Sequence, residues 1–444
     1  MKRYRSFINL FVMELILLFP AVVFSEKNTE PKGSEMAVRL VQDHAGMYTL
    51  MVKGVPFEVK GVAGVEGLDK AAHAGANSFR TWGIEDIESK IDDMPLLDYA
   101  VDHGLYVTVG LWVEHERHGF SYQNKAQVQQ QRDRIRNNVR AYKNNPAVLM
   151  WGLGNEMEGL DYTETSAYIW KELNVLAGIV KEEDPNHPVM TVVALPLAQK
   201  IKDIKTYYPA LDILGINAYG GAVTIPETLN IEKWCRPIIL TEFGPCGQWE
   251  VAKTLWGAPF EPASTAKAAL YFKAYDTVRK GTPGLFLGSF AFFWGNKHET
   301  TPTWYGMFLA SGEKLAAVDV MTEVWSGVPP TNRCPDISSI EWGAAREPIA
   351  AGSVHRAWVT ASDPEKNTLK FEWVIMAENF KNKAGGDKED IPPVISGLIL
   401  KEESGQVTFA APPLPGAYRL YVYVRDGNGG AATANIPFLV EAPH

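Results

Sequence analysis

QVQQQRDRIRNNVRAYKNNPAVLMWGLGNEMEGLDYTETSAYIWKELNVLAGIVKEEDPNHPVMTVVA, residues 127–194, carries two kinds of segment in alternation. The stretches 127–145 and 163–185 read as helices. Between and after them, 147–156 and 188–194 are short apolar runs of strand length. Working outward, the same alternation continues in both directions. Further strand candidates are FEVKGVAG (57–64), ANSFRTWG (76–83), LYVTVGLW (105–112), LDILGINAYG (211–220), PIILTEFG (237–244) and GLFLGSFAFFWG (284–295). Helical stretches lie between most of them, including DDMPLLDYAVDHG (92–104) and ASTAKAALYFKAYDTVRKG (263–281). Strands alternating with helices imply a parallel sheet with helical crossovers, and eight such units over about 250 residues predict an α/β (β/α)8 TIM barrel.

In such a barrel the chemistry sits at the C-terminal ends of the strands. Those ends carry Arg80-Thr81-Trp82, Trp112, Asn155 with Glu156, Tyr219, Glu242 and Trp294. A glutamate ending an apolar strand is costly to bury without a partner or a task. Glu156 ends the fourth strand and Glu242 the seventh, so both are expected at one mouth, within reach of one bond. Two carboxyl groups so placed suffice for acid–base and nucleophilic work on a glycosidic bond.

The rest of the chain divides around this barrel. Lys2, Arg3 and Arg5, an apolar run from Ile8 to Phe24, and Val23 and Ser25 at suitable cleavage positions predict a signal peptide over 1–25. A single membrane anchor is the alternative, with a run short for a span. A polar spacer occupies 26–36. Two alternating runs around a turn, 36–61, predict a hairpin that caps the barrel, so hairpin and barrel together take 37–326. Residues 327–444 open on the Pro-rich linker GVPPTNRCPDISS and continue as alternating apolar and polar runs. DGNGG (426–430) joins two of these as a hairpin turn, which predicts a β-sandwich.

Composition excludes several functions. A net charge of −9 argues against a general nucleic-acid binder. No metal-ligand spacing links Cys235, Cys246 and Cys334, so no metal or other cofactor is expected. Cys235 and Cys246 flank a strand about 20 Å long and are too far apart for a disulfide. Cys334 is either free or paired with Cys235. The expected partner is a carbohydrate, with no nucleic acid and no stable membrane insertion after signal cleavage.

NNPAVLMWGLGNEMEG (144–159), KEEDPNHPV (181–189), PIILTEFG (237–244) and GSFAFFWGNKHETTPTWYGMFL (288–309) resemble motifs of retaining glycoside hydrolases of clan A. The nearest resemblance is to the TIM-barrel domain of glycoside hydrolase family 2, over 55–325. It implies Glu156 as acid/base and Glu242 as nucleophile of a double displacement. In that scheme Arg80 holds Glu242 ionised, Tyr219 hydrogen-bonds it, Asn155 holds the sugar 2-hydroxyl and Trp294 floors the subsite by stacking. Trp112, His115 and His118 on the third βα loop are candidate substrate contacts. Trp249, Trp256, Trp304 and Tyr305 are candidates for outer subsites or for packing. Arg80-Thr81-Trp82-Gly83 departs from the Ser-His-Tyr-Pro-like stretch common in family 2 after this arginine. ASDPEKNTLKFEW (361–373) and YRLYVYVRDGNGG (418–430) resemble cadherin-like or PKD-like immunoglobulin folds, with Asp363 and Asp426 expected as turn formers and calcium binding as the alternative. The expected function is an exported retaining hydrolase of a β-glucan-type saccharide. A transglycosylase using the same glutamates and a non-catalytic carbohydrate-binding barrel are the alternatives.

Overall fold

The computed structural model describes residues 38–158, 167–195, 198–343, 347–380, 387 and 389–442. The expected signal peptide and spacer lie outside these. Eight parallel strands close into a barrel: β1 Val59–Ala63, β2 Ser78–Arg80, β3 Tyr106–Leu111, β4 Val148–Asn155, β5 Val189–Ala194, β6 Ile213–Asn217, β7 Ile238–Glu242 and β8 Phe286–Ala291. Each predicted strand segment contributes one of them. The strands are buried on both faces, as expected of a parallel sheet covered by helices.

Local signals fix the helices around β4. Asn124 caps Lys125–Tyr142 by accepting from the amides of Ala126 (3.1 Å) and Gln127 (3.3 Å). This helix and Ala167–Glu183 turn Ile135, Val139, Leu173, Leu176 and Val180 into the layer between strands and helices. Asp184 then pins the following turn to β4. Its carboxylate meets Trp151 Nε1 (2.9 Å), the Asn186 amide (2.9 Å) and His187 Nδ1 (2.7 Å). The segment DDMPLLDYAVDHG is helical only over Leu96–Asp102. Asp92 and Asp93, both at positive φ, make a turn between the short paired strands Lys90–Ile91 and Met94–Pro95.

The hairpin Val38–Gln42 and Tyr48–Val52 closes the bottom of the barrel. Val38, Leu50 and Val52 pack with Val59, Leu149, Ile213 and Ile239 inside it. Tyr48 N donates to Gly284 O at 2.7 Å.

Beyond helix Ala316–Ser326 the chain forms two four-stranded sheets. One has the order β9 (Asp336–Glu341), β11 (Val354–Ser362), β14 (Gln406–Ala410), β13 (Ile399–Glu403). The other runs β10 (Ile349–Ala350), β16 (Ala431–Glu441), β15 (Gly416–Arg425), β12 (Lys370–Ala377). Trp373, Ile375, Phe409, Leu420, Val422 and Phe438 share one apolar core between them. The DGNGG turn joins β15 to β16 in register, and Asp426 Oδ1 accepts from the amides of Asn428 (2.7 Å) and Gly430 (2.9 Å). Asp363 Oδ1 likewise accepts from Asn367 N at 2.7 Å. Cys235, Cys246 and Cys334 are all free thiols. Among the described residues no helix is long and apolar enough to cross a membrane.

Candidate active site

The C-terminal ends of the strands surround a cavity of about 660 Å³ that is lined by both Glu156 and Glu242. How the strands end explains their placement. On β4, Gly154 adopts φ 71° in a bend where a Cβ would lie 2.9 Å from Met157 Cγ. Glu156 follows at φ 49°, a left-handed conformation uncommon outside glycine and frequent at functional sites. Its amide is fixed to Val192 O at 2.9 Å, while the side chain enters the cavity. On β7, an irregular register with β6 sets Glu242 opposite Asn217.

The two carboxyls have different surroundings. Glu242 is 6% exposed and receives three donors. Arg80 Nη1 (3.1 Å) and Trp82 Nε1 (3.3 Å) reach Oε1, and Tyr219 Oη (3.1 Å) reaches Oε2. Glu156 is half-buried and receives Asn217 Nδ2 at 2.8 Å. Asn217 links the two sides. It also bonds Asn155 Oδ1 (3.2 Å), and its own oxygen accepts from Thr241 Oγ1 (2.8 Å) and Arg80 Nη1 (3.3 Å). Arg80 Nη2 holds Asn155 Oδ1 at 2.9 Å.

Burial pushes the Glu242 carboxyl up to about 7. Arg80 opposes this, the charge of Glu156 adds to it, and the bonds from Tyr219 and Trp82 oppose it. Arg80 therefore restrains the rise rather than holding Glu242 in the ordinary carboxylate range. Burial also raises the Tyr219 phenol well above its ordinary value, which keeps it a neutral donor.

Of the residues expected at the site, Arg80, Asn155, Glu156, Tyr219 and Glu242 converge as one bonded group, and Trp112 lines the cavity. Trp294 is a correction. It is fully buried, donates Nε1 to Gly67 O at 3.1 Å, and packs against Phe308 and Trp325 in the layer behind β8. Phe292 and Phe293 face the cavity instead. His115 is a second correction. It lies behind Trp112, bonded to the backbone of Asn155, and burial with Arg117 and His118 nearby lowers it to about 4. It is buried and does not line the cavity. Trp304 and Tyr305 are core residues, and Trp256 lies outside the cavity lining, whereas Trp249 lines the cavity and is 59% exposed.

Sequence reasoning missed Asn217 and Glu299, and it placed Trp82 at a strand end without giving it a role. Asn217 precedes Tyr219 by two residues and so shares its face, a signal present in the chain. Trp82 lies in the departing stretch after Arg80. Glu299 belongs to a long loop whose direction has no local signal.

Residues 75–247 match the glycosyl hydrolases family 2, TIM barrel domain. The barrel is similar to that domain over this stretch, which holds strands β2 to β7. Over 119 residues it is 30% identical to a β-glucuronidase of Sus scrofa, a match covering 24% of this chain and 17% of that protein. Among solved structures, a β-glucuronidase of Bifidobacterium dentium complexed with coumarin-3-O-glucuronide superposes with a TM-score of 0.50 at 21% identity, covering 66% of this chain and 49% of that one. β-Glucuronidase 2 of Bacteroides uniformis, covalently bound to cyclophellitol-6-carboxylate aziridine, gives 0.48 at 15% identity, over 91% and 48%. The B. dentium likeness concerns the fold. This chain spans half or less of the length of these relatives. With this barrel, the paired carboxyls, one ringed by donors and one open to the cavity, can divide nucleophilic and proton-transfer work at a glycosidic bond.

Proposed function

We propose that the protein is a retaining β-glycosidase acting by double displacement. The observation that carries this reading is the unequal solvation of the two carboxyls. All three donors at Glu242 favour its anion, while Glu156 faces the cavity with one amide partner. Glu242 attacks the anomeric carbon as the bond to the leaving oxygen breaks, and Glu156 gives that oxygen its proton. A glycosyl ester of Glu242 results. Glu156 then takes a proton from water, whose oxygen attacks the anomeric carbon and frees Glu242. Asn155, held by Arg80 and Asn217, is aimed at the sugar 2-hydroxyl.

Among substrates, we favour a neutral β-linked glucan. Trp112 and Trp249 on the cavity wall offer flat apolar faces to sugar rings. Five carboxyl-bearing side chains line the cavity against three cations, Arg117, Lys200 and Lys297. Lys200 is paired with Glu158 at 2.8 Å and Lys297 with Glu299 at 3.5 Å. This balance disfavours an anionic sugar. The β-glucuronidases among the relatives are the reason to test uronides beside neutral glycosides.

We further read the two-sheet C-terminal module as an immunoglobulin-like sandwich of cadherin or PKD type, and the 1–25 segment as directing export. The first residue of the mature protein, read by mass spectrometry, tests export. The test of function is a panel of aryl β-glucosides, galactosides, mannosides and glucuronides, with NMR of the first-formed product. The β-anomer is expected, and an initial α-anomer would overturn the mechanism. Elongated products from oligosaccharides would favour transglycosylation.

A further inference from the structure

The chain after β12 returns to the barrel mouth. Glu389 is buried, and one of its carboxylate oxygens accepts from Thr300 N at 2.8 Å and from Asn379 Nδ2 at 3.0 Å. Thr300 belongs to the loop after β8 and sits at φ 64°, unfavourable for a β-branched residue, so its backbone needs outside support. On either side of this contact the loop meets other functional groups. Lys297 and Glu299 line the cavity. Thr301 and Thr303 donate their hydroxyls to Glu261 at 2.7 and 2.8 Å, and Asn435 of β16 bonds the same carboxylate at 2.7 Å. Asp387, two residues from Glu389, itself lines the cavity. Its Oδ2 lies 4.0 Å from Nε2 of His118, whose ring stacks parallel to Trp112.

We propose that the C-terminal module is part of the substrate cleft, with Asp387 a specificity-determining residue on its rim and Glu389 a positioning residue for the β8 loop. The inference rests on the glycosidase reading. A carboxylate beside the Trp112–His118 stack accepts hydroxyl protons from a sugar unit whose ring lies on the tryptophan, and it repels a uronate. Glu389 acts through the Thr300 amide, fixing the direction in which Lys297 and Glu299 leave the loop. The same oxygen accepts from Asn379, so the carboxylate ties the β8 loop to the C-terminal module.

The experiment uses the full chain and three variants: Asp387→Asn, Glu389→Ala and Glu389→Gln. Kinetics are measured on the aryl β-glycoside turned over fastest and on a five-sugar β-linked gluco-oligosaccharide. Asp387→Asn is expected to raise the KM ratio of oligosaccharide to aryl glycoside about fivefold, the loss of one charged hydrogen bond to a distal sugar. Glu389→Ala is expected to lower kcat/KM roughly tenfold or more on both, through loop displacement. Glu389→Gln, which keeps an acceptor oxygen, recovers most of that loss. Hydrogen exchange over 296–303 reads the clamp without any substrate: Thr300 loses protection in Glu389→Ala and keeps it in Glu389→Gln. An unchanged KM ratio overturns the role of Asp387. Unchanged exchange, or equal losses in the Ala and Gln variants, overturns that of Glu389. If the wild-type protein turns over no β-glycoside, the glycosidase reading fails, and hydrogen exchange still decides the clamp.

Discussion

Two clusters of buried charge in this molecule hold the same residue types and resolve them oppositely. Between the barrel and the C-terminal module, Glu261 and Glu378 meet Lys267 and Arg419, two acids with two bases. Arg419 also donates to Pro259 O (2.8 Å) and Asn435 Oδ1 (2.6 Å), so each guanidinium nitrogen has a partner. At the barrel mouth, Arg80 is the cation bonded into the Glu156–Glu242 cluster, through Glu242. The interface cluster balances its charges, and the mouth cluster carries one negative charge too many. Burial acts on Glu261, but Lys267 and Arg419 bring it below its ordinary value, whereas burial carries Glu242 up to about 7. Burial also raises Glu378, against Arg419. A balanced cluster is a fastener. An unbalanced one retains a movable proton, which acid–base chemistry requires.

The sharpest break between the clusters is Glu242→Gln. It should reduce kcat on aryl β-glycosides on the order of a thousandfold or more while the circular dichroism spectrum is unchanged. Wild-type turnover in this variant would remove Glu242 from the chemistry. Next in size, Glu261→Ala leaves Lys267 buried without its acid, and should destabilise by about 3–5 kcal/mol in denaturant unfolding. A loss below about 1 kcal/mol would mean the interface pairing is not a fastener.

The pH profile sharpens the comparison further. Glu242 must be ionised to attack, so kcat/KM should fall as pH drops through about 7. The charge of Glu156 is one cause of that high value, so Glu156→Gln should move the acid limb to lower pH on a substrate with a good leaving group. An unmoved limb would show that the two carboxyls do not sense each other. The smallest effect is on stability and has opposite signs in the two clusters. Glu242, raised in the folded state, contributes stability that is present below its ordinary value and lost as pH rises through about 7. Glu261, lowered, contributes stability present above its ordinary value and lost as pH falls further. Replacing Glu242 by Gln should therefore raise Tm relative to wild type more at pH 8 than at pH 4.5. Equal differences at both would contradict the assignment.

Much of the mouth cluster was legible in the chain, because barrel position follows from strand order. Counting strands placed Glu156 on the fourth and Glu242 on the seventh, and the strand-end rule selected Arg80, Asn155 and Tyr219. The failures share a cause. Trp294, one residue beyond Phe293, faces the helix layer because Gly67 offers its indole a carbonyl there. Nothing in the local pattern reports that partner. His115 and Glu299 lie on loops whose course depends on distant packing. The contribution of Asp387 and Glu389 to the mouth depends on docking residues far beyond β8 in the chain, as the Thr300–Glu389 bond, 89 positions apart, shows. Periodicity reports strands and helices, and it does not report which loops meet.

The most direct measurement is mass spectrometry of the enzyme treated with a 2-deoxy-2-fluoro-β-glycosyl fluoride of the sugar identified by the aryl panel. A stable adduct of one sugar per chain is expected, located by peptide fragmentation on Glu242. An adduct on a different residue, or turnover of the reagent to an inverted product with no adduct, would contradict it.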